Sequence, residues 1–85
     1  MSDLKIEIIS IEGSVFKGSC NIAVIPSNSG DLGIMYGHEA IISNLREGEI
    51  KLFDNSQNIF KTIDVKGGFA EMQGAEKLLI LINVY

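Results

Sequence analysis

Apolar and polar residues alternate with a period of two along almost the whole chain, and that pattern decides what it can fold into. Leu4, Ile6 and Ile8 alternate with Lys5 and Glu7, which predicts a half-buried strand over 4–10. Glu12-Gly13-Ser14 reads as a turn. Val15-Phe16-Lys17 reads as a short strand broken at Gly18-Ser19, with Cys20, Ile22 and Val24 as the inward set of the next strand. Pro26 is expected to end that strand, because it lacks the N–H that a central ladder needs. Ser27-Asn28-Ser29-Gly30 carries turn chemistry. Further on, 41–46 reads as a strand and Glu47-Gly48 as a tight turn. Ile50 and Leu52 face one way with Lys51 opposite, and 54–58 is a polar loop. Ile59, Ile63 and Val65 are expected to share a face. Gly67-Gly68 turns into a strand over 69–73, and Gly74-Ala75-Glu76 turns into a last strand over 78–85.

No stretch sustains a 3.6-residue apolar period. About eight or nine short strands, with turn signals every 8–12 residues or so, argue for an antiparallel sandwich or barrel. At 85 residues the chain is expected to be one domain over 1–85, burying little more than roughly 60% of its unfolded surface. Hydrophobic residues at 46% and charged residues at 21% are a globular balance. The net charge is −4 and the seven Lys and Arg are scattered, which argues against nucleic acid as a partner. One cysteine, Cys20, excludes an internal disulfide and suits a reducing compartment. The opening MSDLKIEIIS has no apolar segment of a secretory signal. The longest apolar run, 78–82, is far short of the roughly 20 residues that span a bilayer, so membrane association is expected only through a partner.

That run is apolar on both faces, whereas an antiparallel strand with one wet face alternates. It is either a central strand covered on both sides or a strand with a face left for another protein.

The stretch SGDLGIMYGHEA, 29–40, holds three glycines and the only histidine, and reads as a loop. The spacing of Gly30, Gly33 and Gly37 matches neither a dinucleotide fingerprint nor a Walker loop, so turn geometry explains them. His38 with one distant Cys is a poor start for a metal site. A thiol nucleophile would need Cys20 beside His38, with Glu39 or Asp31 orienting the ring. Cys20 in phase with Ile22 and Val24 reads instead as a small core residue. No catalytic set, metal or cofactor is expected, and a binding module fits best.

Several pieces resemble, in order, the epsilon subunit of F-type ATP synthases. They are Ile9-Ser10, Phe16-x-Gly18, Asp31-Leu32-Gly33-Ile34-x-x-Gly37-His38, Ile41-Ile42-Ser43, Leu45-x-x-Gly48 and Gly67-Gly68-Phe69-x-Glu71. Tyr36 stands where the family usually has Pro, and Glu39-Ala40 where it has Ala-Pro. The resemblance implies a flattened antiparallel β-sandwich of about ten short strands. It implies a non-catalytic rotor subunit of the central stalk, holding the gamma subunit to the c-ring and passing proton-driven rotation to ATP synthesis. Ser29, Gly30, Asp31 and Leu32 would face the c-ring loops, with Asp31 pairing with Arg there. Ser10, His38 and Ser43 would face gamma. The matching motifs stop at the last strand, so the inhibitory C-terminal helices, and nucleotide binding with them, are not expected. The implied location is the cytoplasmic face of the bacterial inner membrane, peripheral and through the complex. The competing reading is a free-standing β-sandwich adaptor.

Overall fold

The computed structural model describes residues 3–83, and among them the chain forms nine strands and no helix. The strands are β1 (Leu4–Ser10), β2 (Gly13–Cys20), β3 (Ile22–Ser27), β4 (Gly30–Met35), β5 (Ile42–Leu45), β6 (Gly48–Phe53), β7 (Ile59–Val65), β8 (Gly67–Gln73) and β9 (Lys77–Asn83). They hydrogen-bond in the order β2-β1-β9-β8-β5-β3-β6-β7, with β4 on β3. β3 serves two layers. Its first half pairs with β6, and its last residue, Ser27, pairs with Leu45 of β5. β4 runs along the other edge of β3, from Ile22↔Met35 to Ser27↔Gly30. The sheet therefore curls back on itself at the Ser27–Leu45 corner, giving a sandwich-like half-barrel.

Period two fills the inside. Leu4, Ile6 and Ile8 of β1, Leu78 and Ile80 of β9, and Ala70 of β8 share one buried cluster with Ala23, Ile25, Ile34, Ile50 and Leu52 of the other layer. The all-β sandwich expectation holds, with one pairing of the other sense: β1 and β9 are parallel, Ile6 opposite Leu78 and Ile8 opposite Ile80. The other ladders are antiparallel. These two strands are distant in sequence, so no hairpin dictates their relative direction.

Local expectations change in six places, one of them at Gly67 and Gly68, which are expected as a turn but pair with Asn83 and Ile82 inside β8. β2 is continuous through Gly18 and Ser19, and the break falls at Asn21. Gly18 is covered by the Phe16 ring, whose Cζ would stand 3.1 Å from an added Cβ. The break resets the phase, so Ala23 and Ile25 point inward while Ile22 and Val24 are half-buried. Pro26 lies inside β3, at the step where its neighbour changes from β6 to β5, so no ladder bond there needs its missing N–H. Much of 29–40 is strand β4, not loop. Ile59 is exposed, because the ladder to β6 slips by a residue near Phe53 and takes Ile59 out of phase with Ile63 and Val65.

β9 lies between β1 and β8 with Leu78, Ile80 and Ile82 inward, but Leu81 on its outer face is 40% exposed. The strand is central without being covered on both sides. Val84 and Tyr85, included in the expected strand, lie outside the described residues.

Gly68 holds β8 against β9 in a way no other residue can. Its φ is +141°, and a Cβ there would fall on the Leu81 carbonyl oxygen and 2.9 Å from the Ile82 Cα. Gly68→Ala is expected to lower stability by about 3 kcal/mol or more. Gly74→Ala, at φ +72° in open space, is expected to lower it by about 1 kcal/mol. Urea unfolding of the two variants beside the parent checks the contrast; equal losses would refute it.

Candidate functional site

The β3–β4 hairpin turns through Asn28 and Ser29, and Gly30 supplies the positive φ, +126°, that closes it. Ser29, Gly30, Asp31 and Leu32 stand together at its tip. Alternation along β4 leaves Asp31 and Gly33 outward, Leu32 half-buried and Ile34 buried. The tip is tied to β5 and the β5–β6 turn. The Asn28 N–H donates to the Asn44 carbonyl at 3.1 Å, and the Arg46 N–H to the Pro26 carbonyl at 2.9 Å. The Ser43 hydroxyl donates to Ser27 Oγ at 2.9 Å, and the Ser29 N–H to the same oxygen at 3.4 Å. Arg46 Nη2 donates to Asp31 Oδ1 at 2.7 Å. Asp31 thus already has a cationic neighbour in its own chain, a pairing that the sequence reading missed. The signal was faint: Arg46 follows β5 by one residue, and only the β3–β5 corner brings it to the hairpin.

The three residues expected to face gamma do not form one cluster. Ser43 sits in β5 with its hydroxyl turned to Ser27, close to the hairpin. Ser10 ends β1, where its Oγ accepts the Glu12 N–H at 3.2 Å and holds the β1–β2 turn. Its strand neighbours place it at the same end of the sheet, since Ile9 pairs with Leu81 and Phe69 of β8 pairs with both Leu81 and Asn44. His38 lies at the other end of β4, about 20 Å along the strand from the hairpin tip by strand rise. There its Nδ1–H donates to the Glu39 carbonyl at 2.8 Å, while the neighbouring Gly37 N–H reaches the Ala75 carbonyl at 2.8 Å.

Between Ser10 and Asn83 the outer face carries an apolar trough. Ile9, Phe69 and Leu81 line it, and Ile11 at its mouth is 90% exposed. This is the outward face of the run that the sequence left ambiguous. On another corner, the Lys66 ammonium donates to Glu47 at 2.8 Å, which holds the Glu47 carboxyl below the ordinary carboxylate range and raises Lys66.

Cys20 is a core residue. Burial first, and the Asp3 carboxylate second, push its thiol from 9.0 up to about 11, the reverse of what a nucleophile needs. Among the described residues no group of three or more His, Cys, Asp or Glu is placed to hold a metal. No helix among them is long and apolar enough to cross a membrane.

The fold and these surfaces define a small β-sandwich with a braced hairpin tip and, on an outer face, an apolar trough. The chain belongs to the family described as ATP synthase, Delta/Epsilon chain, beta-sandwich domain, whose model matches residues 3–84. It is 37% identical over 76 residues to the ATP synthase epsilon chain of Bordetella avium (strain 197N), covering 86% of this chain and 51% of that protein. It is 40% identical over 72 residues to the epsilon chain of Parvibaculum lavamentivorans, covering 85% of this chain and 54% of that one. The chain therefore spans about half the length of the curated relatives it matches. Its fold is similar to a chain of the Euglena gracilis mitochondrial ATP synthase OSCP/F1/c-ring structure, with a TM-score of 0.85 at 17% identity, covering 96% of this chain and 51% of that one. It is also similar to a chain of the Tetrahymena thermophila central stalk and c-ring structure, with a TM-score of 0.76 at 13% identity, covering 94% and 63%.

The raised Cys20 thiol has a pH signature. Below the unfolded value of 9.0 the thiol is protonated in both states. Between there and about 11 the unfolded chain releases a proton that the folded chain keeps, so stability falls as pH rises. The fall should approach about 1.4 kcal/mol per pH unit at most. Urea unfolding across that range should show a steeper decline for the parent than for Cys20→Ala. The native thiol should also stay inert to a thiol reagent until the chain is unfolded, whereas rapid native labelling would restore the thiol-enzyme reading.

Proposed function

We propose that this chain is the β-sandwich of a non-catalytic rotor subunit, working as one domain over residues 1–85. It links the gamma subunit to the c-ring of an ATP synthase and passes proton-driven rotation to ATP synthesis. Family membership over 3–84 is the observation that carries this reading. The named relatives are epsilon chains, and the similar folds come from structures titled for central stalk and c-ring. In this proposal the subunit is peripheral, held through the complex at the cytoplasmic face of a bacterial membrane.

The hairpin tip, Ser29 to Leu32, supplies the ring-facing surface. Asp31 keeps 61% of its side chain exposed beside Arg46, so its carboxylate remains available to a basic loop. Ser10 and Ser43, with the apolar trough beside Ser10, supply the gamma-facing surface, and His38 marks its far end. A trough lined by Ile9, Phe69 and Leu81 offers gamma apolar area that hydroxyl groups alone would not.

Calorimetric titration with the cognate gamma subunit is the direct test, with a one-to-one complex expected. Leu81→Glu, which places a charge in the trough, should weaken that complex by about tenfold or more. Asp31→Arg should leave gamma binding and the fold intact while reducing ring association and proton coupling in membranes. A chain that binds other proteins through the hairpin and ignores gamma would support the adaptor reading instead.

A further inference from the structure

We propose that Arg46 is a positioning residue for the ring-facing hairpin. It fixes the Asp31 carboxylate and locks the β3–β4 tip to the β5–β6 corner, so that load taken at the tip passes into the layer that carries Ser10 and Ser43. The inference rests on the ring-facing assignment of the hairpin made above.

The Arg46 side chain runs through a slot that Gly48 leaves open. A Cβ on Gly48 would stand 3.3 Å from Arg46 Nη1 and 2.9 Å from the Pro26 Cβ. Proline has no side-chain freedom to yield there, so one wall of the slot is stiff. The guanidinium divides its fork. Nη1 donates to the Glu47 carbonyl at 3.3 Å, and Nη2 donates to Asp31 Oδ1 at 2.7 Å. The backbone of the same residue donates to the Pro26 carbonyl, whose ladder partner across the hairpin is Asp31. Arg46 therefore grips β3 through its main chain and β4 through its side chain.

The grip matters because the two layers are joined thinly here. The β3–β5 ladder consists of the single pair Ser27↔Leu45. Around it stand the Asn28–Asn44 bond, the Ser27–Ser43 hydroxyl pair and the Arg46 contacts. Arg46 is the one among these that reaches past the turn onto β4. Its alternative role would be a competitor, occupying Asp31 until a partner's cation displaces it. The two roles differ in sign: if Arg46 competed, its removal would tighten ring binding, and if it orders the tip, its removal weakens that binding. Order at a hairpin tip lowers the entropy lost by each side chain that docks.

The test uses the full chain and its Arg46→Gln, Arg46→Lys, Asp31→Asn and Asp31→Asn/Arg46→Gln variants. Two readouts are taken: amide exchange in the isolated protein, and affinity for detergent-purified cognate gamma–c-ring complex. Arg46→Gln is expected to speed exchange of the Asn28 amide and to weaken ring-complex binding by roughly three- to fivefold. Arg46→Lys should recover part of both effects, keeping the charge without the fork. In the Asp31→Asn background, Arg46→Gln should cost no further affinity, which a merely destabilising change would not reproduce. Equal or tighter binding by Arg46→Gln, or the same loss in the Asp31→Asn background, would overturn the proposal. If the parent binds gamma but ignores the ring, the ring-facing assignment fails on its own. The Asn28 amide then decides for Arg46: unchanged protection overturns the positioning role and faster exchange sustains it.

Discussion

Everything in this fold depends on β3 being shared. A strand of six residues pairs with β6 over its first half, touches β5 at its last residue and carries β4 along its other edge. Both layers must therefore place their inward residues against the same few side chains. Ala23 and Ile25 are completely buried. The Ser27–Leu45 pair is the hinge of the curl, and Ser27 is the buried polar residue of the described chain. Its hydroxyl serves two partners, the Ser43 hydroxyl and the Ser29 N–H, which makes the corner affordable inside an otherwise apolar cluster.

The surfaces follow from that corner. A two-residue hairpin on an edge pair would sway if only its own ladder held it. Here its tip is bonded to the neighbouring layer by main chain, hydroxyl and guanidinium together. The trough beside Ser10 arises differently. β9 is hydrophobic on both sides, yet only one side can face the core, so Leu81 and its neighbours Ile9 and Phe69 are left outward. A polar, braced tip on one layer and an apolar trough on the other are chemically distinct surfaces.

Much of this was legible in the residues. Leu4, Ile6 and Ile8, Ile50 and Leu52, the 54–58 loop and the turn at Gly74 all stand where alternation and turn chemistry put them. What failed was phase, and it failed at identifiable places. A bend at Asn21 resets alternation between Cys20 and Ala23, and slippage of the β6–β7 ladder strands Ile59 outside. Pro26 and the glycines of 29–40 read as breakers, but a strand that changes neighbours tolerates Pro, and an edge strand tolerates Gly. The hairpin tip was visible as a polar, glycine-bearing turn. The Arg46–Asp31 pairing was not, because it is a product of the curl and not of spacing along the chain. Ser10, Ser43 and His38 were grouped by resemblance, whereas the fold sets His38 apart at the far end of β4.

The parallel pairing of β1 with β9 has a consequence for how the protein is made. β1 lies between β2 and β9, and β9 lies between β1 and β8. During synthesis β1 and β2 can form a hairpin early, but the inner edge of β1 must wait for the last strand. Until β9 emerges, β1 and β8 each present an unpaired edge, and Ile6, Ile8 and Ala70 lack the neighbours that bury them. Closure joins the most distant strands of the described sheet, so its loop entropy is large and the topology belongs to the slow, high-contact-order class. A released chain in which β9 has not yet docked holds an open sheet with two adhesive edges, and that interval is when it most needs a chaperone.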